Sequence, residues 1–336
     1  MPPGAPNEAR WLRSEPRRVL PPPIVQRIVS RALPRAIVTG IEPLSDGLRN
    51  ANFKLHLDAP REPAVLRIYE HDPSLCLKEV DLLRLLAASV PVPEVLYAEP
   101  SSCDDLPPFA LLRYVEAITY RDLKRSEDRD AIAQAAYSAG ETLAAIGRIT
   151  FPKAGWLAPG PAITSPLLEG ADAVPRFVDL CLASPNLQRR MPADLRDQTH
   201  AAIWPAAAPL THLHGDTHLV HGDFGSRNLL VRNLAGLWRV AAVLDWEFAI
   251  SSSPLVDLAH FLRYERATRP LAEPHFSTGF LDAGGVLPPD WRLLSRLLDL
   301  TSLCESLTHE VLPDTVAEEL VELIRATVED REPQVS

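Results

Sequence analysis

The chain has 336 residues, 46% of them hydrophobic, which is enough for one large domain or for two lobes with separate cores. Its 44 acidic and 34 basic residues leave a net charge of −10, which argues against a nucleic-acid partner because phosphate neutralisation needs a basic surface. Cys76, Cys103, Cys181 and Cys304 lie far apart with no Cys-x-x-Cys pair, no run reaches membrane-span length, and the Arg-rich start lacks an apolar signal core; a cytoplasmic setting without a membrane is expected.

Residues 1–22 mix prolines with Arg10, Arg13, Arg17 and Arg18 and read as a disordered lead-in. Ile24, Val25, Ile28, Val29 and Leu33 recur at helical spacing, predicting a short amphipathic helix that Pro34 stops. Short β segments follow at about 37–44, 51–57, 63–69, 94–98 and 108–115, with Asn52, Lys54 and His56 alternating against Phe53, Leu55 and Leu57. A helix over 77–86 separates the third strand from the fourth.

Beyond residue 116 the pattern becomes mostly helical. One amphipathic helix should run from Asp128 to Ile149, and the Pro-punctuated stretch 151–210 reads as irregular structure with one or two helices. A hairpin is expected over 229–245, turning at Asn233-Leu234-Ala235-Gly236. Helices are expected at 255–265, 290–309 and 314–329, the second striped by Leu293, Leu294, Leu297, Leu300, Leu303 and Leu307.

The chemistry concentrates around that hairpin. In the run from His221 to Asn228, Asp223 precedes Asn228 by five residues, and Asp245 opens Asp245-Trp246-Glu247 after the hairpin. This order suits phosphoryl transfer, which needs one carboxylate to orient a hydroxyl and a few oxygen ligands to hold Mg²⁺ against phosphates. A spaced His-Gly-Asp-x-x-x-x-Asn and Asp-Trp-Glu resembles the aminoglycoside phosphotransferase and choline kinase family, over about residues 25–330 and most strongly at 220–262.

The resemblance implies an α+β, bilobal, protein-kinase-like fold: a nucleotide-binding N-lobe over 23–116 and a helical catalytic and acceptor-binding C-lobe over 117–336. It implies ATP or GTP and Mg²⁺ as cofactors, and a small-molecule hydroxyl acceptor as partner; the oligomeric state is not indicated. Asp223 takes the catalytic place, and Asn228 and Asp245 the metal-holding places. Arg67 stands on the third strand where relatives carry Lys or Arg to hold the α- and β-phosphates, with Glu79 as its ion partner; the plain alternative is two solvated charges. Ser45, Gly47 and Asn50 fall in the loop that would cover the phosphates, although it has one glycine rather than a glycine-rich series. Residues 109–116 fall at the hinge, and Asp257 matches an acid that supports the catalytic loop. Glu247 is either close to the metal or a polar strand-end residue.

The net negative charge suits a cationic acceptor. Glu305, Glu310, Asp314, Glu318, Glu319 and Glu322 are either the acids lining such a pocket or a solvated helix face. Two rival readings are a zinc cluster at His212, His214, Asp216 and His218, whose spacing is off by one, and a nucleotide-binding regulator without turnover. His214-Gly215-Asp216 also echoes the kinase motif, but His221 rather than Asn stands five residues on, so the catalytic register belongs to Asp223.

Overall fold

The computed structural model describes residues 20–329, apart from 45–49, 59–61, 71, 103–106 and 266–268. Ser45 and Gly47 therefore lie outside the described residues. Helix α1 (Pro22–Ala32) starts on a proline, whose missing N–H is no loss in a first helical turn, and buries Val25, Ile28 and Val29. Strands β1 (Val38–Pro43), β2 (Ala51–Leu57) and β3 (Ala64–Ile68), helix α2 (Leu75–Leu86), and strands β4 (Val95–Glu99) and β5 (Phe109–Arg113) follow. The strands form one antiparallel sheet in the order β1-β2-β3-β5-β4.

The pleat divides this sheet into two faces. Phe53, Leu55, Leu66, Ile68, Phe109 and Leu111 join α1 in one apolar cluster, whereas Ala110 and Leu112 join α2 and the rest of the molecule in another. Because side chains alternate along a strand, Arg67 lies on the face opposite Leu66 and Ile68. That alternation turns it away from α1 and into the interior of the protein.

The second part of the chain contains β6 (Ile118–Thr119), α3 (Tyr120–Arg125), α4 (Arg129–Gly147), β7 (Gly155–Ala158) and β8 (Ala162–Ser165), then α5 (Ala173–Leu182), α6 (Pro185–Arg190), α7 (Ala193–Ile203) and α8 (Ala207–His214). Next come β9 (His218–Val220), β10 (Leu229–Leu234), β11 (Leu237–Val243), β12 (Ile250–Ser252), α9 (Leu255–Leu262), α10 (His275–Asp282), α11 (Trp291–Thr308) and α12 (Asp314–Glu329). Two small sheets, β11-β10-β6 and β8-β7-β12-β9, are set among the helices. A β-rich N-terminal part followed by a mostly helical part is the bilobal protein-kinase-like architecture expected from the motifs.

Two expectations need correction. The stretch 151–210 is not mainly irregular: it holds β7, β8 and the helices α5 to α8. Pro175, Pro185 and Pro209 sit in first helical turns and Pro192 at an N-cap, so these prolines begin helices rather than interrupt them. The hairpin turn is also tighter than expected. Ala235 and Gly236 have φ of 53° and 91°, the two-residue geometry whose twist matches the flanking strands, and Asn233 Oδ1 accepts the Gly236 N–H at 2.8 Å from within β10.

Candidate active site

The hairpin explains how Asn228 and Asp245 meet despite their separation in sequence. β10 and β11 pair from Leu229 with Val243 down to Leu234 with Leu237, so the residues just outside the ladder, Asn228 and Leu244, face each other. Leu244 N–H donates to the Asn228 carbonyl at 2.8 Å. Asp245 then adopts φ 66° and ψ 67°, a left-handed conformation that costs a residue other than glycine roughly 1–2 kcal/mol. Its carboxylate meets β3, where Arg67 Nη2 donates to Asp245 Oδ1 at 2.5 Å.

The loop that carries Asp223 is fixed from two sides. Asp257, at the start of α9, accepts the His221 N–H at 2.7 Å and the Gly222 N–H at 2.9 Å with its two oxygens. Gly222 has φ +81°, and a Cβ there would lie 2.4 Å from the Phe248 carbonyl oxygen, so only glycine fits. His221 Nε2 donates to the Leu244 carbonyl at 2.8 Å and Nδ1 accepts the Asp223 N–H at 3.1 Å. This pair of bonds defines a neutral imidazole, and burial pushes its pKa down to about 4.

Asn228 Nδ2 donates to both the carbonyl and the carboxylate Oδ2 of Asp223, each at 2.9 Å. With its NH₂ committed to Asp223, the amide presents Oδ1 on its other side. Burial pushes the Asp223 pKa up to about 6; the nearby Arg263 guanidinium pulls it back, while the Asp245 charge adds to the rise. Burial likewise lifts Asp257 to about 7, against the two N–H bonds it accepts.

Arg67 and Glu79 form a buried ion pair, with Nε 2.9 Å from Oε2. Burial works against the charge on Arg67, but the carboxylates of Glu79 and Asp245 hold its pKa well above the ordinary arginine value. Tyr69 Oη donates to Glu79 Oε2 at 2.5 Å, and the Trp246 N–H donates to Glu79 Oε1 at 3.3 Å. Next to Glu79, Lys78 is also buried and donates from Nζ to the Glu247 carbonyl at 2.7 Å. Helix α2 is thus tied to the Asp245-Trp246-Glu247 segment at two adjacent residues.

A cleft of about 1180 Å³ runs between the five-stranded sheet and the helices. Arg67, Glu79, Asp223, Asn228 and Asp245 all line it. Asn50 is not among the lining residues; it is buried, and its Nδ2 donates to the lining residue Glu247 at Oε2, 3.1 Å away. Of the six acids on and between the two C-terminal helices, only Glu305 borders the cleft. Glu319 turns inward and accepts from Tyr264 Oη at 2.5 Å, and Glu322 pairs with Arg325 at 3.8 Å, so of the two readings of these acids the pocket is not the one formed. Among the described residues no three His, Cys, Asp or Glu side chains converge as a metal-ligand group; the side chain of His214, one of the four residues in the zinc reading, lies outside those described.

Several partners had no local signal in the sequence. Arg263 lines the cleft and is held by Asp299 at 2.9 Å, 36 residues away on a different helix. Tyr69 reads as an ordinary strand end. Lys78 reads as an ordinary helix charge, and its spacing of four from Leu82 marks an inward face only once the burial of Leu82 is known.

A β-rich lobe and a helical lobe enclosing such a cleft give the protein the kinase-like architecture. The model of the phosphotransferase enzyme family, APH, matches residues 40–297, more than half of the chain, and the protein belongs to that family. Among solved structures, the aminoglycoside phosphotransferase APH(4)-Ia superposes with a TM-score of 0.65 at 21% identity, covering 91% of this chain and 97% of that one. The GDP complex of aminoglycoside 2'-phosphotransferase-IIIa gives 0.65 at 16% identity, covering 92% and 99%. At these identities the likeness speaks for the fold alone. A curated relative, acyl-CoA dehydrogenase family member 11 of Gallus gallus, is 27% identical over 257 residues; the match takes in 71% of this chain and 30% of that protein, so the chain spans under a third of that relative's length.

Proposed function

We propose that the protein moves the γ-phosphoryl group of ATP or GTP to a hydroxyl of a small molecule. Asp223 orients that hydroxyl and takes its proton as the new P–O bond forms and the bond to the nucleotide diphosphate breaks. The reading rests on one observation above all: Asp223, Asn228 and Asp245 line the same cleft, joined by the Asn228–Asp223 contacts and the hairpin register.

The donor set suits Mg²⁺. Asp245 offers a carboxylate and Asn228 an amide oxygen, hard ligands few enough to leave room for phosphate and water. Held by these two residues, the ion would supply positive charge that offsets the negative charge of the nucleotide phosphates. Arg67, fixed by Glu79, would grip the α- and β-phosphates, and the segment containing Ser45, Gly47 and Asn50 would cover them. Residues 23–116 would then serve as the nucleotide lobe and 117–336 as the catalytic and acceptor lobe. Structural neighbours solved with AMP-PNP, ADP or GDP, and with hygromycin B or kanamycin, support a nucleotide and a small acceptor without selecting either.

A coupled ADP-release screen over hydroxyl compounds, run beside Asp223→Ala, tests the proposal. Acceptor-dependent release should fall by about a thousandfold or more in the variant while AMP-PNP binding stays within about threefold of wild type. Nucleotide-dependent thermal stabilisation with no acceptor-dependent release anywhere in a broad panel would favour the silent regulator instead.

A further inference from the structure

We infer that the acceptor is an alcohol with an extended apolar body and no more than one positive charge, an assignment that rests on the phosphotransfer reading above. Past Asp223 the cleft is walled by Trp156, Leu168, Phe177, Val256, Leu298 and Leu312. Strand pairing puts Trp156 there: it lies opposite Ile250 of β12, and Ile250 on its other side faces Val220, three residues before Asp223. The indole remains 48% exposed, and Phe177 and Leu168 are only partly covered. Thr301, Ser302 and Ser306 stand among these walls, and a mainly apolar lining with a few polar groups is the usual build of a small-molecule pocket.

Charge points the same way. Away from the phosphate end of the cleft, the bordering carboxylates are Asp122 and Glu305, and both are engaged. Asp122 accepts from Thr119 Oγ1 at 2.7 Å and Arg125 Nη1 at 3.0 Å, and Glu305 Oε1 lies 3.0 Å from His309 Nε2. Asp299, on the same helix as Glu305, is taken up by Arg263 at 2.9 Å and by His260 at 3.5 Å. Arg263, which borders this space as well, is in turn neutralised by Asp299. A polyamine would have to leave water for a chamber whose bordering carboxylates already hold partners, a poor exchange for several charges.

The test is ADP release from MgATP with 1-butanol, 1-hexanol, 1-octanol, 1-decanol, 4-phenyl-1-butanol, kanamycin and hygromycin B. Calorimetric titration of each into the enzyme with Mg²⁺ and AMP-PNP runs alongside. In the alkanol series kcat/KM should rise about fourfold per methylene until the chamber is full, and Trp156→Ala and Phe177→Ala should flatten that dependence. Turnover of kanamycin or hygromycin B with a higher kcat/KM than every alcohol overturns the acceptor assignment and leaves phosphotransfer standing. A rate independent of chain length also overturns it. Saturable alcohol binding graded with chain length but without ADP release upholds the chamber and sinks the phosphotransfer reading. Absence of alcohol binding overturns the assignment whatever happens to ATP.

Discussion

Glu79→Gln separates the charge of this residue from its shape. Glutamine keeps one acceptor oxygen, enough for Tyr69 or for the Trp246 N–H but not for both, and the ion pair at 2.9 Å with the buried Arg67 is lost. Removing one partner of a buried pair costs about 3–5 kcal/mol because the other charge stays out of water. Arg67 keeps Asp245 at 2.5 Å, so the lower end of that range, about 3 kcal/mol, is expected. At roughly 2 °C or more per kcal/mol for a protein of this size, Tm should drop by about 6 °C. The variant has a second consequence. With Glu79 neutral, the whole charge of Arg67 rests on Asp245, and a cation competing for that carboxylate binds more weakly. The Mg²⁺ needed for half-maximal AMP-PNP binding, read by calorimetry, should rise about tenfold, equivalent to roughly 1.4 kcal/mol. Tyr69→Phe, which removes one hydrogen bond and no charge, should cost about 1 kcal/mol and leave the Mg²⁺ requirement unchanged. A Glu79→Gln protein that melts within about 1 °C of wild type, with an unaltered Mg²⁺ requirement, would refute this account of the pair.

Two further outcomes follow from the same geometry. Asp223 acts as a carboxylate, and its folded pKa is raised to about 6, so protonation removes the active form as pH falls through that value. Acceptor-dependent kcat/KM should therefore drop about tenfold per pH unit below about 6 and level off above about 7; a profile flat down to about pH 5 contradicts the assignment. Gly222→Ala combines left-handed strain with a Cβ 2.4 Å from the Phe248 carbonyl, whereas Gly236→Ala has similar strain, at φ +91°, with nothing within 4 Å. Chemical denaturation should show a loss of about 1 kcal/mol for Gly236→Ala and about 3 kcal/mol or more for Gly222→Ala. Equal losses would mean that the contact with Phe248 does not confine the loop.

The parts of this site that were legible in the sequence are those written by local rules. Alternation over residues 52–57 predicts a half-buried strand of a sheet, and the segment between Asn228 and Asp245 predicts a hairpin that returns the second to the first; that Arg67 faces inward came from the structure. The parts that were not legible depend on elements packing across long separations. Arg263 and Tyr264, in the turn that ends α9, are satisfied by Asp299 and Glu319, 36 and 55 residues further along the chain, and no periodicity marks the partner. The acids of α12 show the difficulty: helical spacing alone fits a charged pocket or a wet face, and only the packing of α11 and α12 turns Glu319 inward. Prolines misled for a related reason, since a proline that ends one helix and a proline that opens the next look alike until the helix starts are known.

Binding of Mn²⁺ in place of Mg²⁺, followed through the electron paramagnetic resonance of the free ion, tests the central claim that Asn228 and Asp245 form one metal-holding site beside Asp223. With AMP-PNP present, wild type should hold manganese at this site, Asn228→Ala and Asp245→Asn should each weaken it by about tenfold or more, and Asp216→Asn, in the echoing motif, should leave it unchanged. Undiminished manganese binding in Asp245→Asn, or its loss in Asp216→Asn, would contradict the account.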